Sequence, residues 1–105
     1  MVNIMIVDDE TPSRRQVLSE LTKLGYERKN ICEAQNSAAA LKLMQNFKPD
    51  ILISDISMPK MLGTDLAQRV LEIYPKCKII FFTGYSDKAY MKAAIRLNVV
   101  DYLEK

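Results

Sequence analysis

The sequence predicts an α/β protein built on an open, doubly wound sheet of five parallel strands. Three observations predict it. Apolar runs and helix-period segments alternate in the order βαβαβαβαβ from end to end. Three of the strand candidates are continuous apolar runs, as strands covered by helices on both faces require. Parallel crossovers are right-handed, which narrows the topologies further.

Each element has its own warrant. Ile4 to Val7 is a short apolar run stopped by Asp8-Asp9-Glu10. Thr11-Pro12 reads as a helix start, with Thr as N-cap and Pro where its missing N–H costs nothing. Val17, Leu18, Leu21 and Leu24 follow at helical spacing, and Gly25 is the expected C-cap. Ile31 to Ala34 is a weaker second strand. Asn36-Ser37 caps a second helix with Leu41, Met44 and Phe47 on one face, ended by Lys48-Pro49-Asp50. Ile51 to Asp55 is the third strand. Gly63-Thr64 opens a third helix, with Leu66, Val70 and Tyr74 inward, and Tyr74-Pro75 closes it. Lys78 to Thr83 is the fourth strand. Ser86-Asp87 caps a fourth helix with Tyr90, Ala93, Ala94 and Leu97 in a stripe, and Val99 to Leu103 is the fifth strand.

Composition limits the chemistry. The 105 residues suit one domain with a core that needs no disulfide or structural metal. Half of the chain is hydrophobic (49%) and 27% is charged, which excludes disordered and low-complexity classes. The net charge of +2 is too balanced to argue for nucleic acid or an anionic membrane as a partner. The absence of histidine removes His-ligated metal sites, Ser-His-Asp and Cys-His catalysis and imidazole switching together. Cys32 and Cys77 lie in apolar settings outside any CxxC pair and read as buried reduced thiols, at home in the cytoplasm. The apolar run at the N-terminus has no basic segment before it and is too short for a signal peptide or a membrane span.

In an open parallel sheet, function gathers at the carboxyl ends of the strands, near the switch in strand order. Strand one delivers Asp8, Asp9 and Glu10 there, strand three Asp55, strand four Thr83 and Gly84, and strand five Lys105. An order 2-1-3-4-5 makes strands one and three neighbours and brings their acids together. Converging carboxylates repel one another, and a divalent cation resolves the conflict. With oxygen ligands alone, Mg2+ is the best match. A hydroxyl from Thr83 and an ammonium from Lys105 complete a cradle for a phosphoryl group, with Asp55 as a nucleophile that would form an aspartyl phosphate. Taken singly, each residue has a plain structural reading as a loop charge, turn residue or solvated terminus. Jointly, four strand ends that deliver acid pair, acid, hydroxyl and ammonium in one layer are far more specific.

On these residues the chain resembles, over its whole length, the receiver domains of bacterial two-component response regulators. The resemblance rests on Val7-Asp8-Asp9-Glu10, Asp55-Ile56-Ser57-Met58-Pro59, Gly63, Thr83-Gly84 and Asp101-Tyr102-Leu103-Glu104-Lys105. It implies a flavodoxin-like sheet of order 2-1-3-4-5. It implies that Asp55 is the phosphoacceptor and that Asp8, Asp9, Asp55 and the Ser57 backbone carbonyl hold Mg2+. Thr83 is implied as the switch hydroxyl, Lys105 as the lysine that pairs with the phosphoryl group, and Tyr102 as the switch aromatic. The donor would be a sensor histidine kinase in trans, since this chain has no histidine. The signal would pass to an output domain or downstream protein through the surface from about Asp87 onward, and a homodimer is compatible with this. The domain itself would contact neither nucleic acid nor membrane. Such a protein catalyses its own phosphorylation and dephosphorylation, as a signalling switch rather than a turnover enzyme, and phosphorylation shifts its population toward an active form.

Three features depart from the family pattern. Leu62 replaces a common acidic residue, so that Lys60-Met61-Leu62 should set an apolar surface beside the site. Asn98 replaces a common glycine, which a left-handed C-cap tolerates. The family usually continues past the position of Lys105 into a fifth helix. Residues 1–105 are therefore expected to form a receiver domain that lacks this helix and is C-terminally truncated. Apolar side chains of strands one, three, four and five should then be exposed on the sheet face beside the first helix. Two other readings compete: a receiver-like interaction module that never carries phosphate, and a Mg2+-dependent phosphatase of the haloacid dehalogenase type. The second needs an acid two residues after Asp55, where this chain has Ser57.

Overall fold

The computed structural model describes residues 2–56, 58, 60–83 and 101–104, with Thr83 and 101–104 described as backbone. The elements in chain order are β1 (Ile4–Val7), α1 (Thr11–Lys23), a 3-10 turn (Arg28–Asn30), β2 (Ile31–Ala34), α2 (Ser37–Leu43), β3 (Ile51–Ser54), α3 (Gly63–Ile73), β4 (Lys78–Thr83) and β5 (Asp101–Glu104). They form one parallel five-stranded sheet in the order β2-β1-β3-β4-β5, as expected. The expected fourth helix and Val99-Val100 lie outside the described residues, as do Gly84 and Asn98.

The two faces of the sheet bury different sets of side chains, because successive strand residues point to opposite sides. Met5, Val7, Leu52, Ile79 and Phe81 join Ala40, Met44, Leu66, Ala67 and Val70 in the larger core, under α2 and α3. Ile4, Ile6, Ile31 and Ile53 form the smaller one, against Val17, Leu18 and Leu21 of α1. On this smaller face Ile4 and Ile6 are 1% exposed and Ile53 8%, so the exposure expected on strand one, and at Ile53, is not found. Ile51, Ile80 and Phe82 on the same face are half-buried.

β3 ends at Ser54 and β5 at Glu104, each one residue from the expected end, and three helix boundaries also differ from the expected ones. The N-cap of α1 is Glu10, one residue early, and makes no side-chain cap bond. The Thr11 hydroxyl instead accepts from Arg14 at 3.2 Å. At the other end Leu24 is the C-cap and 74% exposed, while Gly25 takes the left-handed φ of 99° just beyond it. Helix α2 stops at Leu43 and does not continue to Phe47. Tighter bonds, from Gln45 N–H to the Lys42 carbonyl and from Asn46 N–H to the Leu43 carbonyl, unwind it. The Tyr74 hydroxyl donates to the Met44 carbonyl at 2.9 Å, which explains why a tyrosine serves at that inward position. As expected, the Asn36 side chain caps α2, accepting from Ala39 N–H at 2.8 Å.

Both cysteines are free thiols; Cys77 is buried, whereas Cys32, on the edge strand, is only half-buried. Burial pushes the Cys77 thiol up to about 11, with the Asp50 charge adding to it. The folded state thus favours the neutral thiol. That stabilisation is complete below about pH 9 and is lost as the pH rises toward 11. Urea melts across this window should show a loss of stability in the wild type that Cys77→Ala lacks. Equal slopes would contradict the burial of this thiol.

Candidate functional site

The sheet register assembles the site. Val7 is aligned with Ala34 on one side and Ser54 on the other. The ladder continues one residue further, with Asp8 N–H donating to the Ala34 carbonyl at 3.1 Å and Asp55 N–H to the Val7 carbonyl at 2.9 Å. Asp8 and Asp55 therefore leave adjacent strands side by side, at the point where the strand order reverses. Both are buried, at 3% and 4% exposure, while Asp9 and Glu10 are exposed. Asp8, Asp9, Glu10 and Asp55 each place a carboxylate oxygen within 4.8 Å of the others. Such a group of acids could hold a metal ion, and four carboxylates with no nitrogen or sulfur ligand suit a hard one.

Local bonds hold this acidic corner. Asp8 Oδ1 accepts from Glu10 N–H at 2.9 Å, which folds the turn after β1. The Arg14 guanidinium donates to the Asp8 carbonyl at 2.7 Å. Below Asp55, α3 begins in direct backbone contact with the strand end. Gly63 N–H donates to the Ile56 carbonyl at 2.7 Å. A Cβ at Gly63 would overlap the Asp55 carbonyl oxygen and lie 2.9 Å from Ile56 Cα. Glycine is required here for close approach, since its φ is ordinary.

The remaining expected residues are placed in part. Thr83 ends β4, and its backbone pairs with Glu104 of β5; Tyr102 pairs with Phe81. Ser57 and Lys105 lie outside the described residues. Beside Asp9 a cavity of about 430 Å³ opens between Gln35, Asn36, Lys60 and Met61. Met61 packs half-buried against the larger core, so the apolar surface expected at Lys60-Met61-Leu62 is reduced. Lys60 adopts a left-handed φ of 70°, which its sequence neighbourhood did not announce. Arg14, a basic residue in the first turns of a helix, is ordinary in sequence, and only its contacts distinguish it. Among the described residues, no helix is long and apolar enough to cross a membrane.

Comparison with known proteins agrees with this geometry. Residues 4–105 match the family model described as the response regulator receiver domain. The transcriptional regulatory protein HptR of Staphylococcus aureus is 34% identical over 105 residues, which is all of this chain and 41% of that protein. The chain thus spans less than half the length of such curated relatives. The REC domain of AraT, a response regulator from Geobacillus stearothermophilus, superposes with a TM-score of 0.88 at 36% identity, over 100% of this chain and 82% of that one. A two component transcriptional regulator AraC from Clostridium phytofermentans gives 0.87 at 36% identity, over 100% and 81%. Sheet order, paired acids at the switch point and a family match over almost every residue converge: this chain belongs to the receiver domain family of two-component response regulators.

Proposed function

We propose that the chain accepts a phosphoryl group onto Asp55 from a partner histidine kinase, in a Mg2+-dependent reaction, and relays the change to an output domain or partner. The observation that carries the reading is the placement of Asp55 beside Asp8, with Asp9 and Glu10 within 4.8 Å. Asp8, Asp9, Asp55 and the Ser57 carbonyl would hold the Mg2+. When bound, it supplies charge neutralisation for the phosphoryl oxygens.

The protein's own part is positional. An Asp55 carboxylate oxygen attacks phosphorus in line. The phosphorus–nitrogen bond of the donor breaks as the new phosphorus–oxygen bond forms, and the imidazole leaves with the electron pair of the broken bond and takes up a proton. Asp55 is held for this by its backbone bond to Val7 and by the close packing of Gly63 beneath it. Thr83 and Lys105 then engage the transferred group, and Tyr102 follows the Thr83 movement. Relatives described as transcriptional regulators support control of transcription as the output, and a cytoplasmic setting suits a kinase donor.

Incubation with acetyl phosphate and Mg2+, followed by intact mass, tests the reading. The wild type should gain one phosphoryl group, and neither Asp55→Asn nor the wild type in EDTA should. No adduct on folded wild-type protein would favour an interaction module that does not use phosphate.

A further inference from the structure

We propose that Arg14 is a positioning residue for the acidic corner, locked in place by Glu33 and Arg28. This rests on the reading of that corner as a Mg2+ site. One guanidinium spans three elements. Its Nη1 donates to the Asp8 carbonyl at 2.7 Å, its Nη2 to Thr11 Oγ1 at 3.2 Å, and its Nε lies 3.5 Å from Glu33 Oε1. Arg14 thus ties the end of β1 to the start of α1 and to β2. Glu33 is held from its other side by Arg28 Nη2 at 3.3 Å, and Arg28 Nη1 donates to the Ile31 carbonyl at 2.6 Å.

The Arg14–Glu33 pair differs from the other ion pairs among the described residues, and Arg28, 58% exposed, is the open outer end of the network. The side chains of Arg14 and Glu33 are 12% and 16% exposed, whereas those of Lys23–Glu20 and Lys29–Glu27 are 59% or more. Exposed pairs of that kind contribute little. A shielded, planar guanidinium that bonds a backbone carbonyl fixes geometry. The carbonyl it holds belongs to the peptide that joins Asp8 to Asp9. Its orientation sets the directions in which both carboxylates leave the backbone.

Charge and geometry make opposite predictions. If Arg14 acted only as a cation near the site, it would repel Mg2+, and its removal would tighten binding. Glu33 balances that charge, so the geometric effect dominates and removal loosens binding. Residues that orient metal ligands typically change metal affinity by about 10–100-fold.

Calorimetric titration of Mg2+ into the folded protein separates these effects. Arg14→Met should weaken binding about 10-fold, and Glu33→Gln should weaken it less. Arg14→Lys, which can keep one of the three contacts, should recover part of the loss. At saturating Mg2+ the Arg14→Met phosphorylation rate should return most of the way to wild type. Unchanged or tighter Mg2+ binding in Arg14→Met would overturn the proposal. If that variant does not fold, unchanged binding in Glu33→Gln overturns it instead. A wild type that binds no Mg2+ overturns the site reading, and this proposal with it.

Discussion

Gly63→Ala is expected to destabilise the protein by about 3 kcal/mol and to slow phosphorylation by acetyl phosphate about 100-fold. The new methyl group would overlap the carbonyl oxygen of Asp55 and press on Ile56 Cα. Both obstacles are backbone, so no rotamer change relieves them. Helix α3 must then back away from the strand end and stretch the 2.7 Å bond from Gly63 N–H to the Ile56 carbonyl, or Asp55 must move. The first response costs packing of Leu66, Ala67 and Val70, which are fully buried on that helix. The second displaces Asp55, the proposed nucleophile, where a shift of about 1 Å is enough for the rate loss. Alanine's better helix propensity offsets only about 1 kcal/mol. Urea melts beside a time course of adduct formation measure both effects. A variant within about 0.5 kcal/mol of wild type, with normal kinetics, would show that the close approach does not constrain the site.

Asp8→Asn should separate function from stability in opposite directions. Asparagine is nearly the same shape, and its amide oxygen can still accept from Glu10 N–H, so the turn survives. What it removes is one of four negative charges whose oxygens lie within 4.8 Å of one another. In EDTA, relief of that repulsion should make the variant more stable than wild type by about 1 kcal/mol. With Mg2+ the order reverses. At ten times its Kd the ion should stabilise the wild type by about 1.4 kcal/mol and leave the variant almost unaffected. Adduct formation should be lost at the same time. Thermal melts with and without Mg2+ give all four values, and equal stabilisation of both proteins would remove Asp8 from the proposed Mg2+ ligands.

The strand segments and the acids at their ends were legible because they depend on period and position, whereas the strand order came with the family resemblance. The alternation within Ile4-Met5-Ile6-Val7 sends two side chains to each face, and the structure shows two cores that share those residues in that way. The acids could be placed because a parallel register leaves little freedom over where adjacent strands end. Helix ends were less legible, because local competition decides them. Thr11 was available as a cap, but its hydroxyl serves Arg14 and the cap moved to Glu10. The spacing of Leu41, Met44 and Phe47 suited a longer α2, yet the chain turns at Met44, where Tyr74 from another element takes the carbonyl. Leu24 matched the helical stripe and lies exposed, because the helix ends beneath it. The support for the site was hidden for the same reason. Arg14, Glu33 and Arg28 come from three elements, and only the fold makes them neighbours.

Borohydride reduction after treatment with acetyl phosphate and Mg2+, followed by peptide mapping, shows whether Asp55 carries the phosphoryl group. An acyl phosphate at this residue would be reduced to homoserine at position 55, with every other acidic residue unchanged and with no conversion when Mg2+ is withheld. Reduction at Asp8, Asp9 or Glu10 in its place, or none in a folded protein, would rule out Asp55 as the phosphoacceptor.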